Sequence, residues 1–97
     1  MFVIAFDLIS ADADRFHPKG SRQAYKDIER ALKKHGFKRI QWSVFGAEEE
    51  DLAKLIMAVN ALRDFDWFKL CVSNVRAFRM EHGADLTVLF VDQKAKK

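Results

Sequence analysis

The chain has 97 residues, enough for one small domain. Its 49% apolar and 32% charged residues exclude a disordered chain, and no apolar run reaches the roughly 18 to 20 residues of a membrane span. The net charge of +3 resides in the tail, where Lys94, Lys96 and Lys97 supply it and leave the body balanced. We therefore expect one domain over residues 1–93 and a basic tail over 94–97. A domain this small leaves much apolar surface uncovered and is a natural candidate for sharing a core with a second copy. The single Cys71 excludes an internal disulfide, and a reducing cytoplasm is the expected location.

In chain order, Phe2–Leu8 is an apolar run broken only by Asp7, as in a central strand. It reads as part of the fold rather than as a leader. Phe2, Ile4, Phe6 and Leu8 share one face; Val3, Ala5 and Asp7 share the other. Residues 10–20, with Pro18 and Gly20, read as a loop. Ser21 is a plausible N-cap for a helix over Arg22–His35, whose Ala24, Tyr25, Ile28, Ala31 and Leu32 keep a helical period. Gly36 suits the left-handed position that ends it. Short strands follow near Phe37–Gln41 and Trp42–Gly46, either one bent strand or a bulged pair.

A second helix is expected from Ala47, with Glu48–Asp51 at its positive end and Leu52, Leu55, Ile56, Val59 and Leu62 buried. The cluster Phe65, Trp67 and Phe68 then caps the core. Val72–Met80 reads as a strand, and Gly83 helps turn the chain into a last strand over Leu86–Val91. This order gives an α+β, ferredoxin-like βαββαβ sandwich with an extra C-terminal strand. The sheet's helix-free face, assigned Val3, Ala5 and Phe45, is too apolar for water, and a second subunit packed sheet against sheet is its simplest cover.

Charge is uneven within the body. Residues 12–39 carry nine basic side chains against four acidic ones, and residues 48–66 carry six acidic against two basic. Such asymmetry can guide an anionic ligand, or can describe two solvated helix faces.

Asp7 is the most informative polar residue, a carboxylate near the end of an apolar strand. It reads either as a strand-end acceptor for the next loop or as a site residue. Two copies across a dimer axis could hold a divalent cation or share a proton. If the middle strand adjoins the first, Ser43 shares the helix-free face with Asp7. Asn74, Arg76 and Arg79 lie on a later strand, where arginine can grip phosphate with its two-pronged head. His17, His35 and His82 lack metal-ligand spacing. No phosphate-binding glycine loop and no G-x-S-x-G elbow occurs. Most aromatic residues fall at core positions rather than on stacking platforms.

AFDL at 5–8, AYKDIERALKKHGF at 24–37, QWSVF at 41–45, WFK at 67–69 and NVRAFRME at 74–81 together resemble the virulence-associated protein D family, VapD. SVF and the leading-strand aspartate also look like the small CRISPR-associated adaptation nuclease, of the same fold. The resemblance implies a dimeric endoribonuclease, the toxin half of a toxin–antitoxin pair in some members, with a small antitoxin protein as partner. It points to Asp7 and Ser43 as catalytic residues. It implies RNA as substrate. For such a substrate, Arg22, Lys26, Arg76 and Arg79 are the residues expected to hold the backbone, with Tyr25 and Asn74 in support. Asp7 is also the candidate ligand for a metal such as magnesium. The family pattern reads Q-G-S-V-Y where this chain has Trp42 and Phe45, and tends to carry an aspartate where this chain has Asn74. Cleavage can proceed by metal-activated water or by metal-free attack of the 2′-hydroxyl. A nucleic-acid-binding or adaptor dimer without cleavage is the alternative. A third reading is a toxin remnant that mainly binds a partner protein.

Overall fold

The alternation of large apolar and small or polar residues in the leading segment gives it one face for a core and one without helices. The computed structural model describes residues 1–81 and 83–90, so His82, Val91 and the basic tail lie outside the described residues. The elements run β1 (Phe2–Leu8), α1 (Ser10–Phe16), α2 (Ser21–Lys33), β2 (Lys38–Gln41), β3 (Val44–Ala47), α3 (Leu52–Arg63), α4 (Phe68–Cys71) and β4 (Val72–Arg79). The sheet order is β2-β3-β1-β4 with every neighbouring pair antiparallel. Two helical crossovers connect strands that are not neighbours, an α+β arrangement consistent with the ferredoxin-like fold.

The core lies between sheet and helices. Ile4 and Phe6 of β1 and Phe45 and Ala47 of β3 pack with Ile28 and Leu32 of α2 and Ala58 and Leu62 of α3. The Phe6 ring stacks at 6.0 Å on Phe45 and meets Phe68 edge-on at 6.1 Å. Burying each large side chain contributes about 1.5 to 3 kcal/mol, so this layer dominates stability. Phe45 is therefore a core residue, contrary to its expected place on the helix-free face. Its register opposite Ile4 gives it the helix side.

Residues 10–16 form α1 rather than loop, because Ala13 is fully buried and anchors a turn that apolar periodicity does not reveal. The start of α2 is capped from a distance. The Ser21 backbone N–H donates to Asp14 Oδ1 at 2.7 Å, and Gly20 takes the cap position at φ +87°, so Ser21 is the first helical residue. The next long helix begins at Leu52, not Ala47. Asp51 caps it by accepting from the N–H groups of Ala53 (2.9 Å) and Lys54 (3.2 Å), while Ala47 ends β3. The bulged-pair alternative holds for the middle strands: Arg39 pairs with Phe45 and Gln41 with Val44, leaving Ile40 as the extra residue.

No strand forms over residues 86–90. The Thr87 N–H donates to Asp85 Oδ1 at 2.9 Å, and Leu89 and Phe90 close helical turns on Leu86 and Thr87. This local capping competes successfully with a ladder. The segment instead walls a groove of about 820 Å³ over the helix-free face, with Val3, Ile40, Val44, Phe78, Leu86 and Phe90 in its lining. Phe78 and Ile40 are each 48% exposed there, so the described residues do not seal the sheet.

Candidate active site

The end of β1 is where polar residues converge. Asp7 pairs with Asn74 across the β1–β4 ladder, and one step further Leu8 pairs with Val72, so Ser73 bulges. The Asn74 side-chain amide donates to Asp7 Oδ2 at 3.0 Å, and the Ser73 hydroxyl donates to the Asp7 backbone carbonyl at 3.3 Å. Asp7, Ser73 and Asn74 are all exposed. Among the described residues no donor reaches Asp7 Oδ1, which stays open to solvent. The carboxylate avoids a burial penalty and is oriented from one side. The Asp7 side chain accepts from the neighbouring strand rather than from the loop that follows β1, and its other oxygen faces solvent.

Register sorts the expected phosphate-binding arginines. Arg76 stands opposite Ala5, on the same face as Asp7 and Asn74, and is exposed. Arg79 stands opposite Phe2, on the other face and at the far end of β1. It is ion-paired to Glu50 at 2.8 Å, and Glu50 also takes the Met1 ammonium at 3.0 Å. That ammonium, and then Arg79, hold the Glu50 carboxyl below its usual range. Arg79 is thus engaged away from Asp7.

Ser43 is not on the Asp7 face as expected. The Phe6 N–H donates to the Ser43 carbonyl at 3.1 Å, continuing the alternation of Ile4 with Phe45 and Ala5 with Val44. This gives Ser43 the parity of Phe6. Ser43 and Asp7 share the end of the sheet, not a face. Arg22 and Lys26 are exposed on α2, in the helical layer. Between them Tyr25 is half-buried, with its ring 6.1 Å from Phe6 and 4.5 Å from Trp42. Tyr25 therefore ties the first strand to the β2–β3 turn.

A polar pair not anticipated from sequence lies nearby. His17, only 6% exposed, brings Nε2 within 2.7 Å of Asp27 Oδ2, and its Nδ1 accepts the Lys19 N–H at 2.9 Å. The second contact fixes the proton on Nε2, which donates to Asp27. Gln23 donates to the other Asp27 oxygen at 2.9 Å, and Trp67 packs edge-on against the imidazole at 4.7 Å. Partial burial pushes the Asp27 carboxyl up, but the bonds from Gln23 and His17 outweigh it and hold the group below its usual range. This cluster pins the α1–α2 connection. The i, i+4 spacing of Gln23 and Asp27 is its only sequence signal.

Cys71 is fully buried, and desolvation followed by the charge of Asp12 pushes its thiol up, which disfavours a nucleophilic thiolate. Among the described residues no three His, Cys, Asp or Glu side chains gather as a metal site. No helix among them is long and apolar enough to cross a membrane.

Residues 1–87 match the family of CRISPR-associated protein Cas2. The chain is 47% identical over 89 residues to an endoribonuclease VapD homolog of Neisseria gonorrhoeae, spanning 92% of this chain and 97% of that protein. It is 45% identical over 87 residues to endoribonuclease VapD of Haemophilus influenzae, spanning 90% and 94%. It is 34% identical over 89 residues to endoribonuclease VapD of Helicobacter pylori, spanning 90% and 95%.

Proposed function

This chain belongs to the family of CRISPR-associated protein Cas2 and to the VapD endoribonucleases, and we propose that it cleaves single-stranded RNA at the exposed end of β1, as the toxin half of a toxin–antitoxin pair. The observation that carries the site is Asp7, held on one oxygen by Asn74 at 3.0 Å and open on the other. That geometry suits a general base. The free oxygen takes the proton of a ribose 2′-hydroxyl as the 2′-oxygen attacks the adjacent phosphorus. The bond from phosphorus to the 5′-oxygen breaks, water protonates the leaving oxygen, and a 2′,3′-cyclic phosphate remains. Arg76, on the same face, neutralises the phosphate, and Ser43 at the same sheet end lines the path of the chain. Arg22 and Lys26 supply the sequence-independent grip on the backbone.

The apolar helix-free face supports a homodimer packed sheet against sheet. Two Asp7 carboxylates brought together there would draw in a divalent ion such as magnesium, the other way to stabilise the charged phosphate. The antitoxin is a small protein that binds this assembly and blocks access to Asp7.

The test is incubation of wild type and Asp7→Asn with a defined RNA, with magnesium or with chelator, beside the same strand carrying one 2′-deoxyribose at the cleaved position. Metal-free base catalysis predicts cyclic phosphate ends, indifference to chelator and no cutting at the deoxyribose. Cutting at the deoxyribose that requires magnesium would replace it by the metal route. Tight RNA binding without cleavage in the wild type would mark an adaptor.

A further inference from the structure

The β2–β3 turn projects Trp42 into solvent with 57% of its surface exposed, the ring of a residue type that usually finds cover. Three rings lead out to it from the core: Phe6, Tyr25 at 6.1 Å from Phe6, and Trp42 at 4.5 Å from Tyr25. The inner rings make the outermost one rigid. The Arg39 guanidinium lies over the indole, 5.3 Å from its centre, and pairs loosely with Glu29 at 3.7 Å. Arg22 and Lys26 are exposed on α2 on either side of Tyr25 in sequence. The turn itself is fixed to the catalytic end of the sheet, because the Ser43 carbonyl accepts the N–H of Phe6, the residue before Asp7.

We infer that Trp42 is a stacking platform for one unpaired nucleobase of the RNA, next to the scissile phosphate. This deepens the ribonuclease reading and rests on it. A rigid exposed indole offers a flat π-surface that accepts any base. Arg39 over the indole, with Arg22 and Lys26 exposed on the helix that carries Tyr25, suits a polyanion that carries such bases and does not suit an apolar protein segment. An incoming base takes the place of Arg39 on the indole. The displaced guanidinium, still close by, then pairs with the flanking phosphate through its fork of donors. Arg39 thus acts as a removable cover that becomes a phosphate contact. The site requires single strands, because a base in a duplex keeps both faces stacked on its neighbours.

The experiment measures binding of a short fluorescent single-stranded RNA by anisotropy in the Asp7→Asn background, where cleavage is slowed, and gel analysis of the RNA after each titration shows that it is intact. Trp42→Leu is expected to weaken binding on the order of tenfold, the usual cost of losing one base stack, whereas Trp42→Phe keeps most of the affinity. An oligonucleotide that is abasic at every position leaves nothing to stack in any register, and its affinity should not change with Trp42→Leu. Thermal unfolding of each variant separates loss of the platform from loss of the fold. A change below twofold in Trp42→Leu with the base-bearing RNA, or an equal loss with the fully abasic oligonucleotide, would overturn the platform. The two readings fail separately. Absence of cleavage by wild type with the Trp42 effect intact removes the ribonuclease mechanism alone. Cleavage by wild type with Trp42→Leu binding unchanged removes the platform alone.

Discussion

The Asn74 amide donates to the Asp7 carboxylate across β1 and β4, at 3.0 Å and with both side chains exposed. A neutral donor at that position leaves a single negative charge at the end of the pair. An aspartate in its place would set two carboxylates against each other, which share a proton or recruit a cation. Asn74→Asp is therefore expected to raise the pH at which cleavage reaches half its maximum and to tighten magnesium binding. A pH–rate profile with and without magnesium, together with titration calorimetry, checks both.

Asp7→Asn should lower single-turnover cleavage by about 10²- to 10⁴-fold, the usual contribution of a positioned base. Because Asp7 is exposed, the melting temperature should move little. A large drop in melting temperature would show that the residue is structural.

Acid should loosen the α1–α2 connection. The Asp27 carboxyl is held below its usual range by Gln23 and His17 against the upward push of burial. A carboxyl depressed in the folded state stabilises the fold above its unfolded value of about 4, and that stability is lost as the pH falls through the lower folded value. Asp27→Asn should be less stable than wild type at neutral pH, with the difference shrinking in this acid window. Urea unfolding at a series of pH values measures it.

Arg22→Ala and Lys26→Ala should weaken RNA binding similarly for all sequences and each reduce the salt slope by roughly one unit or less. Saturating cleavage rates should change little, since both residues stand on α2 in the helical layer, whereas Asp7 lies on the helix-free side of β1. Affinities measured over a range of potassium chloride concentrations test this.

The exposed apolar groove predicts a concentration-dependent dimer. Phe78 lines it, opposite Val3 and 48% exposed. Phe78→Glu should yield monomer in sedimentation equilibrium with little loss of monomer stability, because the ring does not belong to the helix-side core. An unchanged sedimentation profile for a dimeric wild type would move the interface elsewhere.

Much of this architecture is legible in the residues, for physical reasons. Phe2–Leu8 and the stripe of Ala24, Ile28 and Leu32 each bury a periodic apolar face, and periodicity survives without knowledge of neighbours. The α1 helix is invisible to that signal because it buries one alanine, and its successor is capped by Asp14 from seven residues away. The site divides similarly. Asp7 stands out as a charge in an apolar run. Its partner Asn74 is fixed only by strand register, a long-range property. Arg76 and Arg79 differ in parity along one strand, and that difference alone predicts opposite faces once the strand is granted. Trp42 takes its meaning from Tyr25 and Arg39, which lie far from the turn or across a bulge.

The unpaired Ser73 also limits how this protein can change in length. It absorbs one residue between the short helix before β4 and the ladder beyond it. Removing it would either drag that helix out of its packing or rotate Asn74 and Arg76 to the opposite side of the strand. Point replacements at Ser73 should be cheap, while a single-codon deletion there should be ruinous to activity.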